Sequence, residues 1–333
     1  MRWDPSDTET ARACHEVQQA ALAADDSLHP PKSFGVFRVW LTGGWSSDPG
    51  EVWYVPGESG GVVAWCRLEL PDLENRDRAF ASPVVHPAAR RGGIGTALLR
   101  HAARRAAANG REMLDGVALQ NSPGALFARR MGATPTLHEN RRVLDVAAVP
   151  AGRAASIREE AARAAAGYSL LSWSGPTPEE HLGQVAAVYN AFADAPRGEG
   201  VEPEVWDARR VRERADSFLR VGAARGYTVT AAHNETGEMA AITQVEVDPE
   251  YPEWGWQGLT AVTRPHRGHR LGLLVKAAML EWLAETEPKI ERIETGNAST
   301  NKHMIAVNEA LGFQLAENGW QFYELPVSSV VEP

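Results

Sequence analysis

The sequence predicts two tandem copies of one α+β domain. Three observations predict it. The chain has 333 residues, comfortable for two domains of about 150 to 170. The stretch VHPAARRGGIGTALLRHA, residues 85–102, returns in altered form as VTRPHRGHRLGLLVKAAM, residues 262–279. The elements around both stretches follow in the same order.

Laid over each other, Arg90 falls on Arg267 and Gly95 on Gly272, an offset of 177 positions. The same offset carries Val85 to Val262, Glu69 to Glu246, Ala64 to Ala241 and Gly60 to Gly237 without a gap. Downstream, with three residues inserted, Asn121 falls on Asn301, and Met131-Gly132-Ala133 falls on Leu311-Gly312-Phe313.

The elements are clearest in the second copy. Residues 167–175 read as a strand, and 178–195 and 206–222 as amphipathic helices. Residues 226–247 form a hairpin around the turn NETGE. A strand at 256–262, a helix at 271–285 and a strand at 290–298 follow. A short helix ended by Gly312 and a last strand at 319–326 close the copy. The first copy repeats this order, with its hairpin at 51–70 and a final strand at 141–150. The expected division is a first copy over 1–153, an exposed helical connector over 154–167 and a second copy over 168–333.

Composition narrows the function. A formal net charge of −9 argues against a nucleic-acid partner, because phosphate contacts need a basic face. No apolar run reaches the length needed to span a bilayer, and the start has no signal-peptide pattern, so a cytoplasmic protein is expected. Cys14 and Cys66 stand in separate contexts and the histidines lack ligand spacing, so no disulfide and no metal is expected.

The repeated stretch carries the chemistry. A strand ends, glycines follow, and a helix begins. A helix start leaves N–H groups unpaired and carries partial positive charge. Glycines let a phosphate approach that backbone, and arginines add paired donors. No Gly-Lys-Ser/Thr triplet is present, and the dinucleotide pattern lacks its third glycine. What remains is a phosphate or pyrophosphate cradle, or a tight turn with no ligand.

Arg90-x-x-Gly93-x-Gly95, five residues after Val85, resembles motif A of the GCN5-related N-acetyltransferases, the GNAT superfamily. The second copy resembles it with Arg270 where a glycine is usual. The downstream Asn301 and Leu311-Gly312-Phe313 are also family-like. The resemblance implies, in each copy, a mixed, mostly antiparallel sheet flanked by helices. It implies acetyl-CoA as acyl donor, with pyrophosphate contacts from Val85, Arg90, Arg91, Gly92, Gly93, Ile94, Gly95 and Thr96. In the second copy the corresponding set is Val262, Arg267, Gly268, His269, Arg270, Leu271 and Gly272, with Asn301.

The implied reaction is acetyl transfer from a thioester to a primary amine on a small molecule, by direct attack. It needs a base for the amine and a donor for the thioester oxygen. The resemblance places the donor on the backbone of residues 82–85 or 259–262, and a base at Glu69 or Glu246, with Glu246 preferred. The tyrosine that many members use as acid is replaced by Ala128 and Asn308. Asn308 is taken as the residue at the sulfur, with Tyr323 and His303 as alternative acids for the second copy. The second copy is expected to be catalytic and the first to bind CoA or to be structural. Trp40, Trp45, Trp254 and Trp256 line a groove or pack a core. Glu199, Glu202, Glu204, Asp248, Glu250 and Glu253 favour a cationic amine or are solvated surface. The missing tyrosine keeps open an acyl-CoA-binding sensor or scaffold without turnover.

Overall fold

Side-chain caps start the first two helices. Asp7 accepts a hydrogen bond from the Thr10 amide at 3.0 Å and opens α1 (Thr8–Asp25), and Ser33 accepts from Val36 at 3.2 Å to open α2 (Phe34–Thr42). The computed structural model describes residues 1–26, 30–43, 50–58, 60–191 and 197–331. Strands β1 (Glu51–Pro56), β2 (Val62–Glu69) and β3 (Arg78–Val85) lead to α3 (Ile94–Ala108). Then come β4 (Met113–Leu119), α4 (Pro123–Arg130) and a long strand, β5 (Thr134–Asp145).

The second half begins with α5 (Arg153–Ala164), β6 (Tyr168–Ser174) and α6 (Leu182–Ala191). The helix expected at 206–222 is broken into α7 (Ala208–Arg210), a π-turn over Val211–Ala215 and α8 (Ser217–Arg220). The hairpin β7 (Arg225–His233) and β8 (Met239–Val247) leads to β9 (Trp254–Val262), α9 (Leu271–Thr286) and β10 (Arg292–Ala298). Helix α10 (Lys302–Leu311), β11 (Gln314–Leu315), β12 (Trp320–Pro326) and α11 (Ser328–Val331) complete the chain.

The chain forms two compact units, and they do not divide at residue 153. The first is Met1–His138, Gly198–Glu202 and Asn318–Pro333; the second is Glu139–Arg197 and Pro203–Glu317. In the first unit the strand order is β1-β2-β3-β4-β12, antiparallel except for the parallel β3–β4 pair. In the second it is β5-β10-β9-β8-β7-β6, with β9–β10 the parallel pair. Each unit therefore closes with the strand that chain order gave to the other copy. The strand expected to end the first copy pairs with β10, Leu144 opposite Ile293. The strand expected to end the second copy pairs with β4, Leu325 opposite Leu114.

Charge fixes both registers. Arg141 on β5 donates two hydrogen bonds to Glu294 on β10, at 3.0 and 2.8 Å, with side chains 2% and 0% exposed. Arg78 grips Asp115 through two bonds at 2.7 and 2.6 Å and reaches Glu324 of β12 at 3.0 Å. Removing one partner of a buried pair costs about 3–5 kcal/mol, so a slipped strand is strongly disfavoured.

Helices cover both faces of each sheet. In the first unit Leu98, Leu99, Ala102 and Ala106 of α3 pack on Ala64, Leu68, Ala79, Leu114 and Leu325. On the other face Cys14 and Val17 of α1 and Phe37 and Leu41 of α2 pack on Val52 and Trp65. In the second unit α9 supplies Leu274, Val275 and Met279 to one core, and α6 supplies Val185 and Val188 to the other. The segment expected as an exposed connector belongs to the former. Ile157, Ala161 and Ala165 recur every four residues and make an apolar stripe against that core.

A chain ending at Glu317 lacks β12 and the buried Leu325, Val327 and Val330. Its first unit should lose cooperative unfolding while the second keeps it. Scanning calorimetry reads this as one transition lost and one retained.

Candidate active site

The parallel strands of each unit part early. β3 pairs with β4 only at Arg78–Met113, Ala79–Leu114 and Phe80–Asp115, although β3 runs to Val85 and β4 to Leu119. β9 pairs with β10 only at Trp254–Arg292, Gly255–Ile293 and Trp256–Glu294, then continues to Val262. Beyond these pairs a cleft opens between the strands, and the residues expected to hold a thioester, 82–85 and 259–262, lie along it.

Each cleft ends at the glycine-rich turn. Arg90 donates from Nε to the Val85 carbonyl at 3.2 Å, and Arg267 does the same to Val262 at 3.3 Å. Both turns hold two left-handed residues. In the first unit these are Arg91 (φ 71°) and Gly93 (φ 84°); in the second, Gly268 (φ 92°) and Arg270 (φ 56°). Glycine and arginine exchange places while the backbone shape is kept. A left-handed arginine costs about 1–2 kcal/mol, so both units retain a strained turn.

Behind each turn the helix start carries no side-chain cap: Gly93 precedes α3 and Arg270 precedes α9. A Cβ at Gly93 would meet nothing within 4 Å, and one at Gly95 or Gly272 would lie 3.7 Å from Cγ2 of Val85 or Val262. The turn residues are exposed in both units, and the helix start of the first is the more open. Arg91, Gly92 and Gly93 are exposed, and Ile94, Gly95 and Thr96 are half-buried, whereas Leu271 and Gly272 are buried. Arg90 also makes a paired salt bridge to Asp25 at 2.6 and 2.9 Å. Arg270 pairs with Glu160 at 2.6 Å, and exposed His269 sits 5.4 Å from the Tyr168 ring.

The two expected bases have different surroundings. Glu69 is buried and paired with buried Arg67 at 3.1 Å. Arg67 also donates to the Gly43 carbonyl and lies 4.7 Å from the Trp40 ring. By the offset, Gln244 stands in the second unit where Arg67 stands in the first, so Glu246 on β8 has a neutral amide there instead of a guanidinium. Gln244 Oε1 accepts from the Tyr189 hydroxyl at 2.6 Å. Burial pushes that phenol above its usual range, and the charges of Asp216 and Glu246 add to the rise.

A polar network that the sequence reading missed surrounds the mouth of the second cleft. Gln257 Nε2 donates to Thr243 Oγ1 at 2.9 Å and to the Gln244 carbonyl at 2.7 Å. Thr243 and Thr260 share a hydrogen bond at 2.8 Å. The register of β8 against β9 shifts here: Thr243 faces Thr260, but Val245 faces Gln257. Gly258 and Leu259 therefore oppose Gln244 alone, a β-bulge. The first unit has Cys66, Phe80 and Pro83 at the corresponding positions and no shift between β2 and β3. A signal was present: Gln257 and Thr260 are polar residues in a strand otherwise apolar on its buried face.

Other expected residues are placed differently. Asn301 caps α10, accepting from Met304 at 3.2 Å. The matching cap of α4 is Ser122 rather than Asn121, which bonds Asn318 at 3.0 Å. Asn308 is 0% exposed, and one N–H of its amide donates to Asn297 Oδ1 at 2.6 Å. His303 is exposed. Tyr323 belongs to the first unit, opposite Gly116. Among the acids, Glu202 lies in the first unit, bonded to Asn75, while Glu204 pairs with Arg214 at 2.9 Å. Trp254 and Trp256 lie at the paired end of β9, and Trp45 lies outside the described residues.

The model of the acetyltransferase (GNAT) family matches residues 14–133. A tandem GNAT protein from the clavulanic acid biosynthesis pathway is 30% identical, with 98% of each chain covered and a TM-score of 0.75. The chain belongs to the GNAT family. A GCN5-related N-acetyltransferase from Sphaerobacter thermophilus shares the fold at 16% identity, over 98% of this chain and 94% of that one, with a TM-score of 0.64. No curated protein sequence matches. The chain is thus a tandem GNAT protein of an acyltransferase family, and each unit carries the parted strands and uncapped turn described above. Among the described residues no helix is long and apolar enough to cross a membrane, and no group of three or more His, Cys, Asp or Glu is placed to hold a metal.

Behind the second turn, α9 buries Lys276, 2% exposed, with its ammonium 4.9 Å from the Phe313 ring centre. Burial pushes its pKa down to about 7. The unfolded chain holds that proton to about pH 10, so between about pH 7 and 10 the unfolded state binds more protons and stability rises with pH. Lys276→Met should raise the melting temperature at about pH 7 and flatten its rise toward about pH 9. An unchanged pH dependence of the melting curve would show that the ammonium is solvated.

Proposed function

We propose that the protein is an acetyl-CoA-dependent N-acetyltransferase acting on a primary amine of a small molecule, with the second unit catalytic. The observation that carries this reading is the contrast between the two clefts. Both keep the strained turn and the uncapped helix start. Only the second has a bulged strand beside its candidate base, Glu246.

The turns fit an anion. At Gly93 the space beside the backbone is open, and the N–H groups of residues 93–96 and 270–273 start helices without a side-chain cap. These groups would hold a pyrophosphate in each unit. Acetyl-CoA would supply the thioester, whose carbon–sulfur bond breaks as the new carbon–nitrogen bond forms. In the second unit Glu246 takes the proton shed by the amine. The amides of Gly258 and Leu259, freed by the bulge, would donate to the thioester oxygen and stabilise the charge that grows there. The thiol leaves as the anion, because Asn308 is an amide with no acidic proton to give. In the first unit the Arg67–Glu69 pair holds the equivalent carboxylate as a buried ion, so that unit binds acyl-CoA without a base.

Glu246→Gln should lower kcat about 100-fold or more at neutral pH, read as free-thiol release with an amine panel, and leave the Kd for CoA unchanged. Glu69→Gln should leave kcat within about twofold but cost about 3–5 kcal/mol of stability, because Arg67 is left buried and unpaired. The reverse pattern, with Glu69 essential and Glu246 silent, would move the active site to the first unit.

A further inference from the structure

Gln257 sits where β9 leaves β10, and both its ends are held. Its side-chain amide spans the bulge, donating to the carbonyl of Gln244 at 2.7 Å and to Thr243 Oγ1 at 2.9 Å. Its backbone carbonyl accepts from Thr295 Oγ1 at 3.5 Å, and Thr295 follows Glu294, the last residue of β10 paired with β9. Gln257 is 3% exposed, Thr243 0% and Thr295 3%. So three strands meet at one buried glutamine. The bulge begins at the next residue, Gly258.

We infer that Gln257 is the positioning residue that aims the bulge amides of Gly258 and Leu259 at the acyl carbonyl. A bulge takes one residue of the longer strand out of the ladder, which turns its amide away from the partner strand. Such a device needs its own anchor, because the ladder no longer fixes it. Gln257 supplies the anchor by holding Gln244, the single residue opposite the bulge, from the side-chain direction. The first unit shows the alternative. Phe80 occupies the matching position, Arg67 stands directly opposite Ser82, and the ladder runs without a shift. The bulge and the glutamine occur together in one unit and are absent together in the other. This inference rests on the reading that the second unit transfers the acyl group.

Gln257→Met tests it, keeping length and apolar volume while removing both donors. The expected result is a fall of about 10- to 100-fold in kcat with little change in the KM for acetyl-CoA, since a misaimed donor weakens the transition state more than the ground state. A purely structural role would not produce a second change: the carbonyl stretch of bound acetyl-CoA labelled with carbon-13 at the carbonyl. In the parent protein donation from the bulge amides lowers that frequency; in Gln257→Met part of the lowering should vanish while the Kd for CoA holds. Gln257→Asn cannot span the bulge and should behave as the methionine variant does. An unchanged kcat and carbonyl frequency in a folded Gln257→Met protein would overturn the inference. If the parent protein neither binds nor turns over acetyl-CoA, it is the functional reading that fails.

Discussion

Both units depend on parallel pairing that stops early. After Phe80–Asp115 in one and Trp256–Glu294 in the other, neighbouring strands separate while each stays bonded to its outer partner. Separation strips a run of backbone from the sheet, and backbone polar groups need partners. Burying them without partners would be costly, so a cleft of this kind suits an extended ligand with its own amides and carbonyls. An acidic residue stands at the last pair of each ladder, and each is bound by an arginine: Asp115 by Arg78, Glu294 by Arg141. These ion pairs lie where sheet gives way to cleft; Arg141 ties β5 to β10, and Arg78 also reaches Glu324 of β12.

From that common frame the two units have moved apart. The first keeps a glycine-rich turn and buries Arg67 against Glu69 and Trp40. The second accepts an arginine in its turn yet builds a buried network of Thr243, Gln257 and Thr260 around a bulge. Holding that network costs desolvation of several polar groups, and an apolar core would be simpler. A device for presenting backbone amides accounts for it. Duplication thus leaves one unit with a glycine-rich turn and a regular ladder, and the other with an arginine in its turn and a bulged strand.

Much of this was legible in the sequence. The offset of 177 placed both turns, the hairpins and the motif helices, because glycine, arginine and apolar spacing carry local information. The strand exchange was not legible. Residues 141–150 and 319–326 read as closing strands, but alternation gives a strand no address, and either sheet offers a compatible edge. The π-turn at Val211–Ala215 escaped because the apolar period of 206–222 survives one inserted residue. Tyr323 was assigned to the second copy by chain order alone, and the exchange moved it. Gln257 stood out only as a polar residue in an apolar strand; its meaning appears when Thr243 and Gln244 are brought beside it.

Native mass spectrometry of the intact chain with acetyl-CoA tests the central claim most directly, by counting bound molecules. Both units keep the turn with its two left-handed residues and its uncapped helix, so two molecules should bind. Substitution of Gly93 by Glu, which places a negative charge at an exposed left-handed position, should remove one of them. A parent protein that binds one molecule or none would contradict the account, because the strained turn would then persist in at least one unit without a ligand to explain it.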